Sequence, residues 1–331
     1  MGAAIEKNKG LRVSFPYFGS YTHIIGEIAH EVGWELIIPS PPSKRTVELG
    51  VKYMNELMCY PAKVTLGSLI EAAERGATDV FTFTSCGSCR QKAYWVLQGE
   101  VLKRLGYKTT VHPITLGIHS ISEICALDSS LSRWKATRIF FGTLREIKKF
   151  DDLNYPEISD CSAQPKIGVV GEIYTILEPA VNMNLFEKLR KMDVLIHNSL
   201  PLSYFVFKIF YEMGVIKRKD IDIKVLKEAE EKAKKYFPIK TIGGHGKEAV
   251  IYTIYYALKG FDGVIHLLPF PCMPESTVAS ILDGISEDYN LPVLRLVFDE
   301  HSGEAGVDTR LEAFVDILKR KKRGQKWKRD T

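Results

Sequence analysis

Short apolar, β-branched runs alternate with amphipathic stretches from one end of this 331-residue chain to the other. That alternation constrains the fold more than any single motif. Each run suits a strand of a parallel sheet, each amphipathic stretch suits a helix laid over it, and the economical solution is an α/β protein. In the first part, Leu11 to Phe18, Glu35 to Pro39, Asp79 to Ser85 and Thr109 to Thr115 read as strands. Thr22 to Val32, Ala62 to Arg75 and Gln91 to Leu105 carry helical spacing between them, with Leu97, Val101 and Leu105 on one face.

The polar, proline-bearing segment Asp151 to Pro165 breaks this rhythm and reads as a domain boundary. Beyond it, strands are expected at Lys166 to Thr175, Asp193 to Ser199, Gly263 to Phe270 and Pro292 to Asp299. Helices are expected at Pro201 to Met213, Ile221 to Phe237, Gly246 to Leu258, Pro274 to Tyr289 and Gly306 to Arg323. At roughly 150 residues per domain the length agrees with two lobes. The expected architecture is therefore two doubly wound, Rossmann- or flavodoxin-like lobes with mainly parallel sheets. Residues 1–150 form the first lobe with Cys59, Cys86 and Cys89, 151–165 a linker, 166–323 the second lobe with Cys272, and 324–331 a basic tail.

Composition narrows the class. Apolar residues at 45% and charged residues at 26% exclude a disordered, collagenous or coiled-coil chain. Six cysteines are too few for a disulfide scaffold of this length, and no basic-then-apolar leader opens the sequence, so a reducing cytoplasm is expected. Glu6 stands where a myristoylation signal after Met1-Gly2 needs Ser or Thr. The most apolar stretch, Tyr204 to Ile216, is broken by Lys208 and Glu212, so no membrane span is expected. Eight basic residues between Lys319 and Arg329, set against Asp330, give the C-terminal end a balance of +7 and leave −2 on the rest of a chain whose total is +5. The simplest reading of that run is a solvated helix end, and nucleic acid is not an expected partner.

Ligands of doubly wound sheets sit beyond the carboxyl ends of the strands. Cys86 and Cys89, Gly171 to Tyr174, Cys272, and Glu300 with His301 occupy those places. The usual nucleotide devices are missing. Gly243-Gly244-His245-Gly246-Lys247-Glu248 lacks the Ser or Thr of a phosphate-binding loop, and no G-x-G-x-x-G or G-x-S-x-G is present. The cysteines remain. Cys86-Gly87-Ser88-Cys89 joins a strand to a helix, where amides and the helix dipole favour thiolate, as a redox dithiol or a pair of metal ligands requires. Cys59 (before Tyr60-Pro61) and Cys272 (between Pro271 and Met273-Pro274) each stand next to proline just ahead of a helix, a rigid setting for a ligand. Cys125, in the more helical and apolar Ser122 to Leu127, reads first as structural, and Cys161 falls in the linker. One tight knuckle plus scattered single thiols departs from a zinc ribbon and suits a functional cluster.

Five segments resemble the 2-hydroxyacyl-CoA dehydratase superfamily, and most closely its activase-related branch. They are Asn55 to Lys63, Cys86 to Arg90 with Tyr94, Gly171 to Tyr174, Pro269 to Glu275 and Phe298 to Gly306, found in order through both halves. The resemblance implies two α/β lobes with an iron-sulfur cluster between them on Cys59, Cys89 and Cys272. Three thiolates on a four-iron cluster leave one iron open to a substrate carbonyl or small ligand. In the dehydratases the cluster passes one electron to an acyl-CoA thioester, and a separate ATP-hydrolysing iron-sulfur activator supplies it. The expected partners are thus such an activator and an acyl-CoA or other small substrate, in a homodimer or heterodimer. A relative with a double-cubane 8Fe-9S cluster needs six cysteines, the number found here, which would enlist Cys125. Cys86, if it closes the cluster, makes an electron carrier of it. Glu275, His245, Glu300 and His301 are the candidate acid-base groups, and Glu172 either joins them or holds the turn after its strand. Two other classes stand beside this reading: a thioredoxin-like dithiol oxidoreductase on Cys86 and Cys89, and a binding module with structural zinc.

Overall fold

The structure, a computed structural model, describes residues 11–84, 89–115, 117–155, 163–205, 220–238 and 242–329. It is an α/β protein built on two four-stranded, wholly parallel sheets. The chain divides into two compact units. The first holds the described parts of Met1–Glu56, Ala62–Ser85 and Arg90–Ile147, the second those of Leu57–Pro61, Cys86–Cys89 and Lys148–Thr331.

The first unit orders its strands β2-β1-β3-β4, with β1 at Arg12–Ser14, β2 at Glu35–Leu36, β3 at Asp79–Thr84 and β4 at Thr110–Thr115. Its helices include α1 (Tyr21–Val32), α2 (Lys44–Tyr53), α3 (Tyr60–Glu74) and α4 (Tyr94–Arg104), then α5 (His119–Leu127) and α6 (Arg133–Asn154). β1 stops well short of the expected Phe18, because Pro16 has no amide to give a ladder and the chain turns at Gly19, where φ is 53°. α2, α5 and α6 were not expected. α2 shows its start in the sequence nonetheless: the Ser43 side chain accepts the Thr46 amide while Thr46 answers the Ser43 amide.

α2 and α3 touch backbone to backbone. A Cβ on Gly50 would lie 1.8 Å from the Lys63 carbonyl oxygen, and one on Gly67 would lie 1.9 Å from that of Thr46. No rotamer relieves a contact with main chain, so Gly50→Ala must push the helices apart. We expect it to cost about 3 kcal/mol or more, read as a fall in thermal midpoint, with a melt indistinguishable from wild type contradicting the packing.

The second unit orders its strands β6-β5-β7-β8: β5 at Lys166–Gly171, β6 at Leu195–Asn198, β7 at Gly263–Pro269 and β8 at Val293–Phe298. Its helices include α7 (Ile173–Leu177), α8 (Leu185–Lys191), α9 (Ile223–Tyr236), α10 (Gly246–Leu258), α11 (Met273–Tyr289) and α12 (Glu304–Arg329). β5 and β7 are buried at every position, as central parallel strands should be. Val170 and Val264 of those strands meet Val250 and Ile254 of α10 and Val278, Leu282 and Ile285 of α11 in one apolar cluster. Each such side chain taken out of water contributes about 2 kcal/mol.

Several boundaries differ from expectation for local reasons. β5 ends at Gly171, not Thr175, because the Glu172 side chain accepts the Tyr174 and Thr175 amides and starts α7. The segment expected as a linker begins inside α6, which runs to Asn154, and Asp151 is buried there, accepting the Ser203 amide at 2.8 Å. Residues 156–162 of that segment lie outside the described residues, as does most of the helix expected at Pro201 to Met213. The basic run is not a detached tail: α12 continues to Arg329. Lys319 donates to the Met192 carbonyl, Lys321 to that of Asn290, and Lys322 to that of Gln164 and to Asp262. No described helix is long and apolar enough to cross a membrane.

Candidate functional site

Because β6 adds on one side of β5 and β7 on the other, the order in which strands are added reverses between β5 and β7 while all run parallel, and such a switch point places a crevice beyond their carboxyl ends. The sequence departs from each strand end abruptly. Gly171 closes β5 at φ 137°, with its backbone against Leu267 of β7, and the Glu172 amide donates to the Leu267 carbonyl at 3.2 Å. β7 ends in Pro269, a cis Phe270-Pro271 bond and Cys272, whose amide donates back to the Pro269 carbonyl at 2.6 Å. Cys272 then caps α11, with Pro274 in its first turn.

Cys59 comes to the same strand end. The Tyr60 amide donates to the Phe270 carbonyl at 2.9 Å, which ties the start of α3 to the end of β7. Cys59 and Cys272 are both buried, and each immediately precedes a helix with proline at its second position. Cys89, partly exposed, stands just before the short 3-10 turn Arg90–Ala93 that leads into α4. Its Sγ lies 3.9 Å from where a Cβ on Gly244 would be, a spot that is also 2.8 Å from Pro274. The expectation that Cys59 and Cys89 belong to the first lobe is thereby corrected. Both group with the second unit, alongside Cys272, since main-chain bonding to β7 and packing by Gly244 and Pro274 hold them there.

The other candidates differ in placement. Glu275, in the first turn of α11, is wholly buried, and its Oε2 is 2.9 Å from Nε2 of His266, itself wholly buried on β7. His245 precedes α10 among its glycines; its Nδ1 accepts the Ile173 amide at 3.4 Å, and its ring meets Phe205 edge-on at 4.7 Å. Glu300 is half-buried on the turn after β8, while His301 beside it is exposed and gives its amide to Asp299. Cys125 lies on α5 against Ile121, Leu131 and Ala136 of the first unit, an apolar setting. Cys86 and Cys161 lie outside the described residues. Among the described residues, no three His, Cys, Asp or Glu side chains are gathered as a cage for a single metal ion.

His266, Tyr60 and Tyr174 were not singled out from sequence as functional groups. The available signal for His266 was a lone polar residue inside the apolar strand Gly263–Pro269.

The electrostatics are those of buried groups beside several carboxyl groups. Burial pushes the Cys272 thiol up, and the nearby Glu275, Cys59 and Glu172 push it further, with only the Glu275 amide acting the other way. Burial raises Glu172 as well, opposed by His245 and by the amides it caps. Tyr174 is raised well above the ordinary phenol, by burial and then by Glu178, Glu172 and Tyr60. Tyr60 is pushed up to about 12 by burial and by Glu300 and Asp299. The folded state therefore holds the Tyr60 proton more tightly than the unfolded one, so its contribution to stability is intact below pH 10 and lost as pH rises toward 12. Tyr60→Phe should flatten that loss by about 2 kcal/mol, measured as denaturant midpoints across the window, and an unchanged slope would contradict it.

Compared with known proteins, the chain matches no family model and no curated sequence.

Proposed function

We propose that this protein holds an iron-sulfur cluster on Cys59, Cys89 and Cys272. It would deliver low-potential electrons to a small substrate as a reductase or dehydratase of the 2-hydroxyacyl-CoA dehydratase type, recharged by a separate ATP-hydrolysing activator. The observation that carries this reading is the convergence of the three cysteine segments at the end of β7, from positions up to 213 residues apart in the chain. The donor set fits such a group. Three soft sulfur donors each stand immediately before a helical segment. Burial and the nearby acids push the Cys272 thiol up, so a metal bound there would have to displace its proton. A cluster also offers its irons at separate corners, so its ligands need not close around one point as a single ion requires.

When bound, the cluster would supply one-electron transfer. The chain's own residues would do the rest. Buried Cys59 and Cys272 keep water from the inner side, and the cap made by Glu172 fixes the turn after β5. His245 accepts the Ile173 amide at Nδ1, which leaves Nε2 as the atom where the neutral ring carries its proton. Tyr60 and Tyr174 are raised above the ordinary phenol and stay protonated through the physiological range, so each keeps an O–H able to donate a hydrogen bond.

Iron and acid-labile sulfide should be counted in protein made and purified without oxygen. About four of each per chain, with brown colour, is expected for one cubane, and about eight irons for a double cubane. One zinc in a colourless protein would overturn the proposal in favour of a structural-zinc module. Metal-free protein in which only Cys86 and Cys89 are needed for disulfide exchange would overturn it in favour of a dithiol oxidoreductase.

A further inference from the structure

The first unit holds a cavity of about 330 Å³ between one face of α1 and the edge strand β2, a size that suits a small molecule. Residue spacing decides what lines it. Thr22, Gly26 and His30 recur every four residues along α1 with His23 and Glu27 beside them, so all five share one face. Trp34, Leu36 and Ile38, in β2 and on either side of it, supply the opposite wall at the alternation of an extended chain. The apolar wall is fixed before any ligand arrives. Trp34 is buried, its indole N–H donates to Asp128 at 3.1 Å, and its ring stacks on Phe81 with 5.6 Å between centroids. Gly26 lets the helix come close, since a Cβ there would lie 2.9 Å from Leu36 Cδ2.

The polar wall is uncommitted by comparison. The Thr22 hydroxyl accepts the Phe18 amide at 2.8 Å, but the side chains of His23, Glu27 and His30 have no hydrogen-bond or ion-pair partner among the described residues. Glu35 on β2 differs, because Arg12 answers it at 2.9 Å. No lysine or arginine lines the cavity, so Glu27 is its one carboxylate and has no cation of its own. A single sign of charge in a cleft with apolar walls attracts the opposite sign. The two histidines, about one helical turn to either side, offer ring nitrogens for hydrogen bonds to the same head group. A metal ion is the poorer match, since among the described residues no three such side chains gather as a cage.

We propose that this cavity binds a small organic cation, an ammonium carried on a flat apolar body. The head meets Glu27 between His23 and His30, and the body lies against Trp34, Leu36 and Ile38. The site is separate from the cysteines: its residues all belong to the first unit, whereas Cys59, Cys89 and Cys272 group with the second. It therefore stands whether or not those thiols hold a cluster.

The test is a titration of the whole 331-residue chain with tryptamine, followed by calorimetry and ligand-observed nuclear magnetic resonance, beside indole-3-propionate, which keeps the ring and reverses the charge. Saturable binding of tryptamine is expected, tighter than that of the anion by about threefold or more, the size of effect an exposed ion pair supplies. Glu27→Gln keeps the shape and should erase that preference. Gly26→Ala crowds Leu36 at the end of a flexible side chain, so it should weaken tryptamine binding while the thermal melt stays close to wild type. Absence of saturable tryptamine binding, equal binding of the anion, or a preference that survives Glu27→Gln would each overturn the proposal. Wild-type affinity in a folded Gly26→Ala variant would overturn the cavity as the place of binding.

Discussion

Gly171→Ala is expected to be among the most damaging single-methyl substitutions in this protein. Gly171 sits at φ 137°, in a region essentially closed to side chains, and an added Cβ would meet the Leu267 carbonyl oxygen at 2.2 Å. Neither problem can be solved by a rotamer. The backbone strain alone costs about 1–3 kcal/mol. Displacing β5 from β7 adds to it, so the total should exceed about 4 kcal/mol, in the range reserved for identifiable structural breaks. Denaturant unfolding of the purified variant measures this directly. The substitution also acts on the site, because the Glu172 amide that follows is bonded to Leu267 and its side chain starts α7. Any folded fraction should therefore hold less iron per chain than wild type. A variant with wild-type stability would mean that the close approach of β5 and β7 at this residue is wrong.

The second large effect is expected at the thiols. Cys59→Ala, Cys89→Ala and Cys272→Ala should each reduce iron retained after anaerobic reconstitution by more than half. Cys125→Ala, in its apolar cluster of the first unit, should retain it if one cubane is present. Alanine is the better replacement at residues 59 and 272, since a buried serine hydroxyl would bring its own penalty of about 1–3 kcal/mol. Because a bound cluster stabilises only the folded state, wild-type protein should also melt higher after reconstitution than before. The three variants should lose that difference. Loss confined to Cys89 would contradict a shared centre.

The parallel α/β character was legible because β5 and β7 are read from apolar runs, interrupted inside β7 only by His266, and Cys272 could be placed at a strand end from Leu267-Leu268-Pro269 alone. Strand lengths were not. Apolar residues continue past Ser14 and past Gly171, and only the missing amide of Pro16 and the capping carboxylate of Glu172 stop the strands. α2 was missed because its apolar face is short and glycine-interrupted, its stability resting on contact with α3. The grouping of Cys59 and Cys89 with the second unit was hidden for a related reason. It depends on one main-chain bond from Tyr60 to Phe270 and on the space left by Gly244, neither of which has a periodic signature. His266 was passed over since a single histidine in a strand says nothing of its partner, and Glu275 lies nine residues away on the next helix.

The central claim is that sulfur from residues 59, 89 and 272 reaches one inorganic centre, and it is met most directly by the electron paramagnetic resonance spectrum of the reduced protein recorded beside the three single cysteine variants. One paramagnetic iron-sulfur signal is predicted in wild type, lost or changed in shape by each of the three substitutions. A wild-type protein without such a signal at full reduction, or a signal that all three substitutions leave untouched, would contradict it.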